Sequence, residues 1–281
     1  MRIAATPNWL RRSLTAIALA VCALASAPRA NAQNPDTIPA EQSAAQAKAI
    51  ITQLVEGMGG EAYLNIKDSS CTGRLAQFGP LTGERGAYFE FEEYRILPDK
   101  LRREYTKKGK IIDVYNGNNG WSLDRGGVED GDAVAVANFQ AGIRMSLDFL
   151  LRYRLRDPSL YFHYAGEESV DLRVSDWVEI EDTEERTYRI AVERSTHLPV
   201  RFVVLTRNLQ TRDVTTDVTI YANWHTDDGV PTALTVRHER DDKPVSQVFY
   251  YSCKYNTGLS PTLFTREALA QRWKDTGHKS K

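Results

Sequence analysis

The sequence predicts a mainly antiparallel β fold with a small helical complement, an α+β chain, and three observations carry that expectation. From Asp68 onward apolar and polar residues alternate with period two in run after run, the pattern of half-buried strands. Turn residues separate the runs at hairpin spacing, as in Asn116-Gly117-Asn118-Asn119-Gly120 and Asp227-Asp228-Gly229. Two segments break the alternation with helical spacing, one ahead of the first strand and one in the middle of the sheet.

The elements follow in order. Residues 33–40 hold two prolines and few large apolar side chains and are read as an extended leader. Ala47, Ile50, Ile51, Leu54 and Val55 recur at three- and four-residue spacing from about Glu41, and Gly57, Gly59 and Gly60 stop the run as a C-cap would. A strand over 71–78 precedes a turn at Gly79-Pro80, and residues 87–94 alternate Phe89 and Phe91 with Glu90 and Glu92. Between Gly126 and Gly166 the β pattern gives way. Residues 133–145 are small and apolar, and Ser146 reads as the N-cap of a helix carrying Leu147, Phe149, Leu150, Leu151, Tyr153 and Leu155. Such an insertion must bury its apolar face, and the inner face of the sheet is the available partner. Strands are expected again over 160–164, 171–180, 187–192, 199–206, 214–224, 232–239 and 245–255. Thr265 then caps a short amphipathic helix with Leu269 and Trp273, and a basic tail over 275–281 is expected to fray.

The N-terminus sets the compartment. Arg2, Arg11 and Arg12 form a basic region, residues 14–25 are an apolar core, and Ala30-Asn31-Ala32 ahead of Gln33 fits small-residue cleavage. Residues 1–32 are therefore read as a cleavable signal peptide, with export to the periplasm. The apolar run falls short of the roughly 20 residues of a spanning helix. A lipid-modified Cys22 is the weaker alternative, because Val21 is a poor lipobox residue and the apolar core runs on past the cysteine. Cleavage takes the basic count from 36 to 32 against 37 acidic residues, a mildly negative chain that argues against nucleic acid. With no linker composition and no repeat period, residues 33–281 are read as one domain. Cys71 and Cys253 remain after cleavage. An oxidising envelope permits their pairing, and two buried unpaired thiols fit the same sequence.

The stretch 98–121 is the most informative. Leu101, Tyr105, Ile111, Ile112, Val114 and Tyr115 are strand formers, Lys107-Lys108-Gly109-Lys110 fits a charged turn, and the glycine-bounded turn ends on Trp121. An early Pro, an Arg-bearing strand, a short loop and a turn of the Tyr/Asp-Gly kind followed by Trp resemble the LolA-like periplasmic lipoprotein carriers. The resemblance extends along most of the exported chain. It takes in Met58-Gly59-Gly60, His197-Leu198-Pro199-Val200-Arg201-Phe202, Asp228-Gly229-Val230-Pro231 and Tyr255-Asn256-Thr257-Gly258-Leu259. It implies a strongly curved half-barrel sheet with helices covering its concave face. One departure stands out: those carriers place an inward arginine directly before the hairpin proline, where it holds the lid, and here Leu97 occupies that place with Arg95 two residues earlier.

No catalytic constellation is legible. There is no Gly-x-Ser-x-Gly elbow, no Ser-x-x-Lys, no His-Glu-x-x-His, no phosphate-cradling glycine loop and no paired-cysteine zinc spacing. His225 with Asp227 and Asp228 is explained by a polar hairpin end, and His163 by the polar side of a strand. Glu92-Glu93 and Glu184-Glu185, adjacent along strands, point to opposite faces and are read as solvating groups. No catalytic residue, metal or cofactor is expected. The expected ligand site is apolar: Phe89, Phe91, Trp121, Leu147, Leu150, Tyr188, Ile190, Phe202, Val204, Ile220, Trp224, Phe249 and Tyr251 lining a cavity under a helical lid. Burying an acyl chain of about 15 methylenes at ~0.8 kcal/mol each yields on the order of 12 kcal/mol before ordering costs. The function expected is binding of lipid or lipoprotein acyl chains for outer-membrane lipoprotein transport or sensing. The alternatives are an envelope scaffold for a protein partner on the same fold and, more distantly, an envelope hydrolase.

Overall fold

In the computed structural model, residues 35–79, 84–105 and 111–276 are described. The signal peptide, the Lys107 to Lys110 turn, part of the Gly79-Pro80 turn and residues 277–281 of the basic tail lie outside the described residues. Pro35–Thr37 forms a 3-10 turn where an extended leader was expected. Helix α1 (Ala40–Gly57) follows and buries Ser43, Ala47, Ile50, Ile51 and Leu54 along one stripe. It ends where Gly59 (φ +112°) and Gly60 (φ +54°) take backbone conformations that L residues avoid, and a one-turn helix α2 (Glu61–Leu64) succeeds it.

Two meanders make up the sheet. The first comprises β1 (Asp68–Phe78), β2 (Arg85–Ile96), β3 (Lys100–Glu104), β4 (Ile112–Asn116), β5 (Asn119–Asp124) and β6 (Gly127–Asp130). The second comprises β7 (Tyr161–Val170), β8 (Arg173–Glu181), β9 (Arg186–Glu193), β10 (Pro199–Arg207), β11 (Val214–Asp227), β12 (Val230–Arg240) and β13 (Lys243–Tyr255). They join where β1 pairs with β13, giving one antiparallel 13-stranded sheet in the order β6-β5-β4-β3-β2-β1-β13-β12-β11-β10-β9-β8-β7. The sheet is open, with β6 and β7 at its edges, and its curvature makes it an incomplete barrel. Cys71 and Cys253 lie directly opposite each other at the seam and are disulfide-bonded, which decides between the two readings of these cysteines.

Two boundaries differ from the sequence reading. The reversal between β7 and β8 sits at Asp171 and Leu172, both left-handed, a pair that alternation alone had placed inside a strand. The short strand β6 also lies inside the segment read as non-β. Both helical breaks are present. Asp132 caps α3 (Ala133–Arg144) by accepting from Ala135 N, and Ser146 caps α4 (Leu147–Phe149), which continues as a π turn over Leu150–Arg154. Thr265 caps α5 (Arg266–Asp275).

The main core lies between the concave face of β7–β11 and the helices. Ala47, Ile50, Leu54, Leu147, Leu150 and Leu151 pack there on Val178, Ile180, Tyr188, Ile190, Phe202 and Val204. A second core lies on the opposite face of the first meander. There Phe264, Leu269 and Trp273 cover Ile112, Val114, Trp121 and Leu123. Strand alternation explains both, since residues on opposite parities of β4 and β5 serve opposite faces.

Candidate functional site

Strand register assigns each residue to a face. On the concave side, the rows Phe89–Leu75–Val248–Val236–Tyr221 and Phe91–Gly73–Tyr250 run across β2, β1, β13, β12 and β11. The next row brings Arg103, Glu93, Cys71 and Cys253 together, and Arg95 follows two residues along β2. This half of the concave face is only partly covered. Phe89 keeps 38% of its surface accessible, while Phe91, at 4%, packs with Leu75 and Val248 against Tyr105 and Tyr250.

At the floor of this half sits Glu93, whose side chain is 2% exposed. Arg95 Nε donates to its Oε1 at 2.6 Å, and Arg103 donates through Nε and Nη2 to its Oε2. Burial by itself would raise the Glu93 carboxyl, but Arg103 and then Arg95 outweigh it and bring it from 4.5 to about 2. The Arg103 guanidinium also lies over the Phe91 ring, 5.4 Å from its centre. Asp113 faces Arg103 across the β3–β4 pair, and burial raises its carboxyl in spite of Tyr105 and Arg103. His238, on the same face, is pushed down by burial and then by Arg95. Two guanidiniums thus share one fully ionised carboxylate amid Phe91, Tyr105 and Tyr250. Leu97, in the place of the carriers' inward arginine, packs at the margin of the main core, and Arg95 spends its Nε on Glu93.

Helix α3 borders this open half. Phe139 stacks on Tyr115 with ring centres 4.4 Å apart, and Gln140 donates to the Gly117 carbonyl. A β-carbon at Gly120 would fall 2.7 Å from Val136 Cγ2, so the close approach of α3 to β5 requires glycine there. Val136 is the one residue of α3 that is buried, and Val134 is 66% exposed. The 147–154 segment is packed far more tightly. Leu147, Leu150 and Leu151 are core residues, Tyr63 donates to Asp148 at 2.6 Å, and the Arg152 guanidinium lies 4.0 Å over the Tyr63 ring.

The thirteen residues expected to line one cavity divide four ways. Leu147, Leu150, Tyr188, Ile190, Phe202 and Val204 are brought together, but as a filled core with Trp224 at its margin. Phe89 and Phe91 lie on the open half of the concave face. Trp121, Ile220 and Phe249 lie on the opposite face: Trp121 against the C-terminal helix, Ile220 between Arg201 and Arg237, and Phe249 under the Arg74 guanidinium. Tyr251 is the extra residue of the bulge opposite Thr72/Gly73 and is 57% exposed. The space expected beneath the 147–154 segment is occupied by side chains. Two recesses of about 290 and 280 Å³ are instead lined chiefly by outer-face residues, one by Thr72, Glu90, Glu92, Glu104 and Tyr251, the other by Asp171, Arg173, Ile220 and Arg237.

Glu93, Arg95 and Arg103 were not expected as site residues, Glu93 being read as a solvating group. The opposite facing of Glu92 and Glu93 is as expected, yet Glu93 turns inward to the arginines while Glu92 accepts from the exposed Tyr94 hydroxyl. The available signal was Glu93-x-Arg95 at period two, with Arg103 eight residues after Arg95 across the hairpin. His163 hydrogen-bonds Ser43 through Nδ1, and Asp228 accepts from Tyr255 N at its hairpin end. Among the described residues, no group of three or more His, Cys, Asp or Glu is placed to hold a metal, and no helix is long and apolar enough to cross a membrane.

No family model and no curated protein matches this chain. Solved structures do. An outer membrane lipoprotein-sorting protein domain from Vibrio parahaemolyticus aligns with a TM-score of 0.51 at 10% identity, covering 81% of this chain and 99% of its own. A LolA superfamily protein from Nitrosomonas europaea aligns with a TM-score of 0.50 at 11% identity, covering 79% of this chain and 99% of its own. The fold is therefore LolA-like, an open curved sheet with helices on its concave side.

Proposed function

We propose that this chain is an exported periplasmic protein that binds the acyl part of a lipid or lipoprotein on the open half of its concave face. The supporting observation is the unequal filling of that face: helices and core side chains occupy the β7–β11 half, while over β1–β3 Phe89 keeps 38% of its surface accessible beside the half-buried Tyr105 and Tyr250. An apolar lining of this kind suits a binding role, since acyl burial by itself supplies the affinity. The expected cleavage after Ala32, export to the periplasm and a single domain over 33–281 belong to the same reading, as does a role in lipoprotein transport or sensing. The likeness in fold to a lipoprotein-sorting domain is consistent with it.

Native mass spectrometry of protein gently released from the envelope, followed by lipid extraction, tests the proposal. Acyl-bearing cargo in stoichiometric amount is the expected result, on a protein beginning at Gln33. A lipid-free protein that also fails to take up a fluorescent fatty acid contradicts it. One observation favours a second reading, a protein-binding scaffold: α3 exposes Val134 beside the same groove. Under that reading the envelope preparation yields a protein complex with no lipid.

A further inference from the structure

Arg95 is not used up by its ion pair. Its Nε goes to Glu93, 39% of its side chain stays accessible, and among the described residues no protein hydrogen bond takes its terminal Nη groups. Glu93 is shared with Arg103, so two cations meet one carboxylate. Two further acids lie on this face: Asp113, whose carboxyl burial raises and whose neighbours are Tyr105 and Arg103, and Asp217, which faces His238 and accepts from Arg240. His238, the other titratable group facing the pair from β12, is held toward its neutral form. Among the described residues, Arg95 thus presents unpaired Nη donors beside the accessible Phe89 and the half-buried Tyr105 and Tyr250, over the buried cluster of Leu75, Phe91 and Val248. Desolvating a cation beside apolar walls is costly unless an anion meets it, and a guanidinium presents a planar fork suited to carboxylate or phosphate oxygens.

Resting on the acyl-binding reading above, we propose that the occupant of this groove is a single-chain amphiphile with an anionic end group, carboxylate or phosphate. Its oxyanion pairs with the free Nη groups of Arg95, and its chain lies along Phe89, Tyr105 and Tyr250, above the buried Phe91, Leu75 and Val248. Glu93 is the positioning residue. It holds both guanidiniums on the concave face and, among the described residues, leaves the Nη groups of Arg95 without a protein partner.

The test is displacement of a fluorescent fatty-acid probe from lipid-free exported protein at pH 8 by palmitate, by hexadecanol and by inorganic phosphate. Palmitate is expected to displace the probe at a concentration roughly tenfold or more below that of hexadecanol, the size of one charge-assisted contact. That gap is expected to shrink as salt rises. Arg95→Gln is expected to close the gap and Arg95→Lys to keep most of it. The wild-type salt series stands even if a variant fails to fold. Equal displacement by palmitate and hexadecanol overturns the end-group proposal and leaves acyl binding standing. Failure of the probe to bind at all overturns both. Displacement by inorganic phosphate alone makes the site one for free anions and overturns the amphiphile.

Discussion

Over β8–β10 the concave face carries Val178, Ile180, Tyr188, Ile190, Phe202 and Val204, all at 2% exposure or less beneath α1 and the 147–154 segment. Over β1–β3 the same face carries Phe89, Phe91, Glu93, Arg95 and Arg103, and among the described residues no comparable helix is laid across it. Both halves are built from alternating strands of one sheet, yet one is a finished core and the other leaves Phe89 and Arg95 accessible beside a buried ion pair. The difference teaches that the inserted 147–154 segment is packed as core, with no space left beneath it. Leu150, at 0% exposure, is as buried as any residue in the chain, whereas α3 is apolar, barely buried and poised beside the groove. A loosely packed element is the one available to move.

Leu150→Asp breaks the comparison most severely. It places a carboxylate in the filled half with no partner, and loss of cooperative folding is the expected outcome by circular dichroism and thermal melting. Survival of a native fold means that the 147–154 segment is detachable after all. Next comes the seam between the meanders. The disulfide closes a loop of 182 residues, so replacing both cysteines by serine is expected to cost up to about 5 kcal/mol in denaturant unfolding. A loss near zero means that the β1–β13 ladder holds the halves together unaided.

Acid provides the third comparison. The folded-state value of Glu93, about 2, lies below its ordinary 4.5. Its contribution is therefore complete above about pH 4.5 and is lost as pH falls toward 2. On the order of 3 kcal/mol is at stake for a shift of this size. Glu93→Gln is expected to flatten that part of the stability profile and to lower stability at pH 7. An unchanged profile means that the carboxylate is not held by the arginines. The last comparison concerns the two helices: Leu151→Ala is expected to cost about 2–5 kcal/mol, while Val136→Ala in α3, the smallest effect, costs about 1 kcal/mol or less. Equal costs contradict the difference in packing.

Much of this fold was legible in the sequence, because period-two alternation, turn glycines and caps such as Ser146 and Thr265 are local properties. The site was less so, because a strand's parity does not say which face is concave. Trp121 follows Gly120, and it is Gly120 that meets α3, so Trp121 turns to the other side and packs with α5. Ile220 and Trp224 share a parity, but the left-handed Asn223 between them changes the phase, and Tyr221 and Trp224 become the pair at the core. Tyr251 lost its place to a bulge. Burial of Glu93 depends on Arg103 across the hairpin, a relation that neighbouring residues do not express.

The central claim is that ligand occupies the β1–β3 half and that the β8–β10 half is permanent core. Photocrosslinking with a diazirine-bearing fatty acid, with adducts located by peptide mass spectrometry, tests it directly. Adducts on Phe89, Phe91, Tyr105 or Tyr250, and on α3, are the expected result. Adducts on Leu150, Tyr188 or Phe202 contradict the account, since they require the packed helices to part and the core itself to be the binding site.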